Sequence, residues 1–329
     1  MKNLSRGIED EVLEVFDRLS EVEVDKTTFN LIRVSTNRYR RIPDGSLTSK
    51  SEEFSRTQGR DYFVKISNGT DESRKLLAES ESLIALRRSI EDQHDRFVPK
   101  LYKNSTIGTR NVMVTDYFNK SNRCFSKKSE TELAVKLSSL HDPKNPKNAS
   151  PNGSYGFNVP TFCGETEQVN KWEKDWMVFF REFRIKELIR RIDDPEINSL
   201  AQPIYNQVIP FLLSDFEPRP SPVIIHGDLW SGNVSLDEET GQVFIYDPSS
   251  YYGHNEVELG IMMMFGGRSE IFFNEYHKRL PKSQPHHEQR IKLYELYHHL
   301  NHTLIFGGGY KSGSTRIMNQ LINFVQKHT

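Results

Sequence analysis

No apolar run in this 329-residue chain approaches the ~20 residues that a helix needs to cross a bilayer, so no membrane partner is expected. Cysteine is nearly missing. Cys124 and Cys163 are the only two, too few for a disulfide framework and in keeping with a reducing compartment. An excess of either charge is missing too. The 44 Lys and Arg against 45 Asp and Glu leave a formal net charge of −1, which offers neither a nucleic-acid footprint nor a basic face for anionic lipid. Met1 to Arg6 runs straight into a charged amphipathic pattern without the apolar stretch of a secretion signal. Cytosol is the expected compartment, and triplets such as Asn68-Gly69-Thr70 are expected to stay unglycosylated. There is no internal repeat, and nowhere a glycine-rich phosphate loop of the GxGxxG kind.

What the chain does contain is His226-Gly227-Asp228-Leu229-Trp230-Ser231-Gly232-Asn233, followed by Asp247-Pro248-Ser249. Pro220, Ser221 and Pro222 close a loop, and Val223-Ile224-Ile225 reads as a short buried strand delivering the octapeptide. Val243 to Tyr246 reads as a second strand ending at Asp247. Strand, Asp-containing loop, Asn, hairpin, strand, Asp is the layout of the catalytic and metal-binding loops of protein-kinase-like folds. That layout implies phosphoryl transfer from ATP, in which one carboxylate deprotonates the attacking hydroxyl while an amide oxygen and a second carboxylate hold Mg²⁺ against the triphosphate. HGD or DPS alone is an ordinary turn; the spacing of both behind strands carries the reading.

The wording HGDLWSGN, with YDPSSYYGHNEVELGIMMMFGG after it, resembles the fructosamine-3-kinase (ketosamine-3-kinase) family, where eukaryotic protein kinases would show HRD and DFG. Tyr155-Gly156-Phe157, Gln168 to Trp172 with Trp176, Phe179 and Phe180, and Leu300-Asn301-His302 resemble the same family. The likeness runs from about Asp61 to the C-terminus and is strongest over residues 155–180 and 223–267. It implies that Asp228 is the proton acceptor and that Asn233 and Asp247 are the metal ligands. The implied reaction is ATP-dependent phosphorylation of the sugar O3 of ribulosamine or fructosamine adducts, on glycated proteins or small ketosamines, followed by spontaneous deglycation. The implied fold is α+β and two-lobed, protein-kinase-like: a β-rich N-lobe in residues 1–118 and a mainly helical C-lobe in 119–329. An aminoglycoside- or choline-type kinase shares HGD…N…D, but Leu229-Trp230 and DPSSYYGH argue against it. A catalytically silent scaffold is the remaining alternative, and it would have lost one of Lys65, Asp228, Asn233 or Asp247.

The N-lobe should hold the nucleotide. Ile8, Val12, Leu13, Phe16 and Leu19 form an apolar helical face; Phe29–Val34 and Tyr62–Ile66 read as strands, and Asp71–Ile90 as a helix capped by Asp71. Residues 43–60 read as an exposed insertion. Lys65, in an otherwise apolar strand, calls for an anion, since a buried ammonium must be paired. Alignment with the family's helix selects Glu79 as its partner, with Glu81 on another side of that helix. Asp116, Tyr117 and Phe118, after the strand at 112–114, are expected to contact the nucleotide. For the phosphate turn the candidates are Ser35, Thr36 and Asn37, the last a residue that tolerates a left-handed backbone. Arg38, Arg40 and Arg41 read as a solvated edge strand.

Helices are expected at about 129–141, 166–191, 196–213, 255–279, 286–306 and 314–328. His298 and His302 lie one turn apart without an HExxH pattern, which does not make a zinc motif. His302 either touches substrate or is a buried structural histidine, and Trp230 either lays its ring against the sugar or packs inside the lobe. Gly307-Gly308-Gly309 reads as a helix end and turn, and Met262 to Phe265 as core.

Overall fold

The computed structural model describes residues 29–35, 38–42, 60–67, 69–90, 92, 95–107, 110–265 and 267–329. The candidate N-terminal helix, Thr36, Asn37 and the insertion at 43–59 lie outside them. The described residues fall into two compact units: one takes those up to Ile84 together with those of Pro99–Asn119, the other those of Ala85–Val98 and Lys120–Thr329.

The first unit is built on a five-stranded antiparallel sheet: β1 (Phe29–Ser35), β2 (Arg38–Ile42), β3 (Arg60–Ile66), β4 (Leu101–Ile107) and β5 (Arg110–Asp116), in the order β2-β1-β3-β5-β4. Among the described residues β2 is an edge strand of this sheet. Val64, Val112, Met113 and Val114 are buried on the central strands. Between β3 and β4 runs helix α1 (Thr70–Arg88), which belongs to this unit as far as Ile84. Leu76, Leu83 and Leu86 supply its buried face, while Asp71 and Glu72 in the first turn and Arg87 and Arg88 in the last complement the helix dipole. Asp71 is thus inside the first turn rather than at the cap.

The second unit is mainly helical. Helix α2 (Lys127–Leu140) opens on a reciprocal Ser126–Ser129 capping box and buries Leu133, Leu137 and Leu140. A hairpin of β6 (Thr161–Cys163) and β7 (Thr166–Gln168) occupies the start of the helix expected from residue 166, so that helix begins at Trp176. It runs as α3 (Trp176–Phe180), a π-helical stretch Arg181–Lys186, and α4 (Glu187–Ile192). Next come α5 (Pro195–Pro203), a second π-helical stretch Ile204–Val208, and α6 (Ile209–Leu213). Asp194 caps α5 and Pro195 starts it, where a missing N–H costs nothing.

Four three-residue strands follow: β8 (Val223–Ile225), β9 (Val234–Leu236), β10 (Val243–Ile245) and β11 (Tyr251–Gly253), paired β9 with β10 and β8 with β11. The helix expected over 255–279 is two, α7 (Val257–Met264) and α8 (Glu270–Arg279), separated by Gly267 at φ +69° and the Ser269 cap. Helices α9 (His287–Phe306) and α10 (Gly308–Gln326) are hinged at Gly307, whose φ of +78° ends the first. Helix α10 starts six residues before the expected 314, because glycine and serine weakened its pattern without breaking it. Among the described residues no helix is long and apolar enough to cross a membrane.

A buried ion cluster ties α7 to α9. Glu256 Oε1 accepts from Ser283 N at 2.8 Å and His287 Nδ1 at 2.9 Å, and Oε2 accepts from Arg290 Nε at 2.7 Å. Burial works to raise the Glu256 carboxyl, but His254, His287 and Arg290 hold it well below the usual carboxylate range. Glu256→Gln strands the wholly buried Arg290 charge, so a loss of about 3–5 kcal/mol in urea unfolding at neutral pH is expected. The sign with pH follows from the depressed carboxyl. The pair's contribution is full above the ordinary glutamate range and is lost as pH falls below it. The gap between wild type and variant should therefore narrow in acid.

Candidate active site

The HGD loop is held by groups distant in sequence. Strand β8 delivers His226, whose Nε2–H donates to Tyr246 O at 2.9 Å and whose Nδ1 accepts from Asp228 N at 3.3 Å, a mutually consistent tautomer. The carboxylate of Glu258, buried on α7, accepts the His226 N–H at 2.5 Å and the Gly227 N–H at 3.0 Å. Two successive main-chain donors on one carboxylate splint the loop. Gly227 has φ +85°, and a Cβ there would sit 2.1 Å from Ser249 O, so no other residue fits.

Asp228 emerges half-buried from this splint. Asn233 Nδ2 donates to Asp228 O at 2.9 Å and lies 3.4 Å from Oδ2, while the Cys163 thiol approaches Oδ1 at 3.6 Å. Burial pushes the Asp228 carboxyl up to about 7; the Cys163 and Asn233 hydrogen bonds pull it down, and the charges of Glu258 and Asp247 push it further up. Asn233, buried, spends its amide nitrogen on Asp228, which turns its oxygen to other use. Asp247 follows β10, exposed, in a left-handed conformation with φ +56°. An amide oxygen and a carboxylate are hard donors that fit Mg²⁺.

In the first unit, Lys65 Nζ lies 2.7 Å from both carboxylate oxygens of Glu79, and Lys65 itself is buried. Glu81 is not in that pair. Asp116 spends its carboxylate inside the sheet, accepting Lys100 N and Tyr102 Oη at 2.8 Å each. Its side chain is therefore a clamp between β4 and β5. Tyr117 is half-buried and Phe118 buried beside it. Ser35 ends β1 opposite Arg38.

Trp230, 37% exposed, lies over Gly232, where a Cβ would meet the indole at 2.2 Å. Its ring is 5.4 Å from Phe265, which is 5.2 Å from His302. His302 continues to Phe306 at 5.5 Å and Tyr310 at 5.0 Å. Its Nδ1–H donates to His298 O at 2.8 Å, and burial lowers its pKa. Of the methionine run only Met262 is in the core; Met263 is exposed and Phe265 belongs to this row of rings. Glu258, Phe306 and Tyr310 were not singled out from sequence: Glu258 acts through partners some thirty residues away, and the two aromatic residues matter only through the ring of His302.

A family model for fructosamine kinase matches residues 29–324. A ketosamine-3-kinase of Mus musculus is 32% identical over 299 residues, covering 84% of this chain and 93% of its own. A chloroplastic protein-ribulosamine 3-kinase of Oryza sativa subsp. indica is 32% identical over 281 residues, covering 84% and 77%. A crystal structure from Haemophilus somnus, described as that of a fructosamine-3-kinase, superposes with a TM-score of 0.66 at 24% identity, over 80% of this chain and 84% of that one. The expected protein-kinase-like fold is the one found.

Proposed function

This chain belongs to the fructosamine kinase family, and from that premise we propose that it transfers the γ-phosphoryl group of ATP to the O3 hydroxyl of ketosamines on protein or small amines. The observation that carries the reading is Asp228. A carboxylate met by the Cys163 thiol and, at 3.4 Å, by Asn233 Nδ2, on a loop splinted by Glu258, supports the role of acceptor for a hydroxyl proton. Asn233 and Asp247 would hold Mg²⁺, which when bound neutralises charge on the triphosphate. Lys65, fixed by Glu79, offers its ammonium to the phosphates. Since the Asp116 carboxylate is engaged, the main chain at Tyr117 and Phe118 would serve the base, with Ser35, Thr36 and Asn37 as the phosphate turn. Trp230 and His302 bound a row of aromatic faces suited to the C–H faces of a sugar. The other readings are weaker: the silent scaffold lacks a missing group to explain it, and the aminoglycoside- or choline-type kinase shares only the HGD…N…D frame.

The product should be self-destructing. Once O3 carries phosphate, enolisation of the neighbouring amino-ketone expels it. Water then hydrolyses the resulting imine, so free amine, inorganic phosphate and a deoxy-dicarbonyl are the products, and the chain acts as a repair enzyme. Ribulosamine or erythrulosamine should be turned over better than fructosamine. The proposed compartment is cytosol; the family also includes the chloroplastic rice protein. Glycated lysozyme incubated with the chain and ATP should lose its sugar mass by mass spectrometry, and only with ATP. A stable phosphate on Ser or Thr with the adduct untouched would sink the ketosamine reading and leave a kinase of another class.

A further inference from the structure

We propose that Cys163, Asp228 and His298 form a binding site for a borderline-soft divalent cation of the zinc type, and that filling it silences the chain by claiming the Asp228 carboxylate. Three elements converge there: the end of β6, the loop after β8 and the middle of α9. One ligand atom from each residue lies within 4.8 Å of the other two. A tetrahedral zinc with bonds of about 2.0–2.3 Å sets its ligand atoms about 3.3–3.8 Å apart. The Cys163 Sγ to Asp228 Oδ1 separation, 3.6 Å, already meets this. The imidazole closes the remaining gap by a side-chain adjustment of at most about 1.5 Å.

The donor set selects the ion. Thiolate, imidazole and carboxylate suit zinc, whereas Mg²⁺ takes oxygen ligands only. The Mg²⁺ assigned to Asn233 and Asp247 is therefore not a competitor for sulfur. Three protein ligands also leave a fourth position for solvent or a substrate oxygen, the arrangement of an open zinc site.

The surroundings have unspent bonding capacity. His298 is 3% exposed, yet its Nδ1 makes no hydrogen bond. On the same helix, Tyr297 Oη and Asn301 Oδ1 are likewise buried without a hydrogen bond. Buried polar atoms are seldom left so, and such a group beside a thiol and a carboxylate points to a ligand. Asn301 meanwhile fixes the end of β6, its Nδ2 donating to Cys163 O at 3.1 Å, as an outer partner orients a metal ligand. On binding, the Cys163 thiol proton passes to solvent and the cation's charge is matched by thiolate and carboxylate.

The binding half stands on geometry alone; the silencing half rests on the role of Asp228 proposed above. Co²⁺ is the probe for the first. Titrated into the full chain, it should raise a thiolate-to-cobalt charge-transfer band that saturates at one equivalent and is displaced by Zn²⁺. Cys163→Ser should lose the band, His298→Asn should weaken cobalt binding, and Cys124→Ser, which alters the exposed thiol, should keep the band. Absence of the band in the wild type, or its survival in Cys163→Ser, overturns the site. For the second half, Zn²⁺ should abolish ketosamine phosphorylation reversibly, with a zinc-selective chelator restoring it. A chain carrying the Cys163-dependent band that still turns over at full rate overturns the silencing. A chain inactive on ketosamines without any added zinc instead overturns the proposed function, and leaves the cobalt result standing.

Discussion

Asp228→Asn is expected to lower turnover by about 10²–10⁴-fold while changing the affinity for nucleotide little. The substitution keeps the shape of the side chain, and the oxygen it retains can still accept the Cys163 thiol hydrogen bond. The Asn233 amide bond to the Asp228 carbonyl is main-chain and survives, as do the two main-chain donors on Glu258. What is removed is the capacity to take a proton, together with the long 3.4 Å contact from Asn233 Nδ2 to Oδ2. Removing a buried carboxylate whose pKa is pushed up should not cost folding free energy, so the variant should melt at or above the wild-type temperature. Steady-state kinetics with a ribulosamine substrate, paired with thermal melts, separates the two effects. Wild-type turnover in a folded variant would remove Asp228 from the role of base.

What was legible in the sequence is what short-range chemistry writes. A lysine within Phe63-Val64-Lys65-Ile66 contradicts its apolar neighbours, and such a conflict points to a partner; Lys65 and Glu79 do lie together. Asp228, Asn233 and Asp247 are set by strand–loop spacing along a continuous segment, and β8 and β10 stand where the apolar runs place them. Partners far along the chain left no such mark. Glu258 reads as one more charge after Val257, yet it splints the HGD loop across 32 residues. The Lys100 N–H and Tyr102 hydroxyl that meet the Asp116 carboxylate come from a segment 14 to 16 residues earlier, which nothing around Asp116 announces. Three-residue strands such as β6 and β7 are too short to show a period, so residues 166–168 blended into the helix after them. Cys163 and His298 carried no motif either; only the fold brings them to Asp228.

Asp247→Ala should reduce turnover by about 10³-fold or more, because a carboxylate facing the triphosphate's metal contributes several kcal/mol to the transition state. The backbone makes the choice of substitution matter. Asp247 sits at φ +56°, a conformation that aspartate, asparagine and glycine tolerate better than alanine. Alanine therefore brings roughly 1 kcal/mol of strain besides losing the ligand. Two companions separate these effects. Asp247→Asn keeps the turn and loses the charge, so it should be as stable as wild type without ligand and still be severely impaired. Asp247→Gly removes the strain, so it should melt higher than Asp247→Ala while remaining equally inactive. Nucleotide linkage supplies the third readout. A ligand at 100 times its dissociation constant stabilises a fold by about 2.7 kcal/mol, so the melting shift given by Mg²⁺-ATP should shrink in all three variants. Lys65–Glu79 is untouched by these changes, and the residual shift should respond little to Mg²⁺ concentration. If Asp247→Asn keeps both its turnover and its full Mg²⁺-ATP shift, the metal is held elsewhere, and the left-handed turn after β10 serves the fold alone.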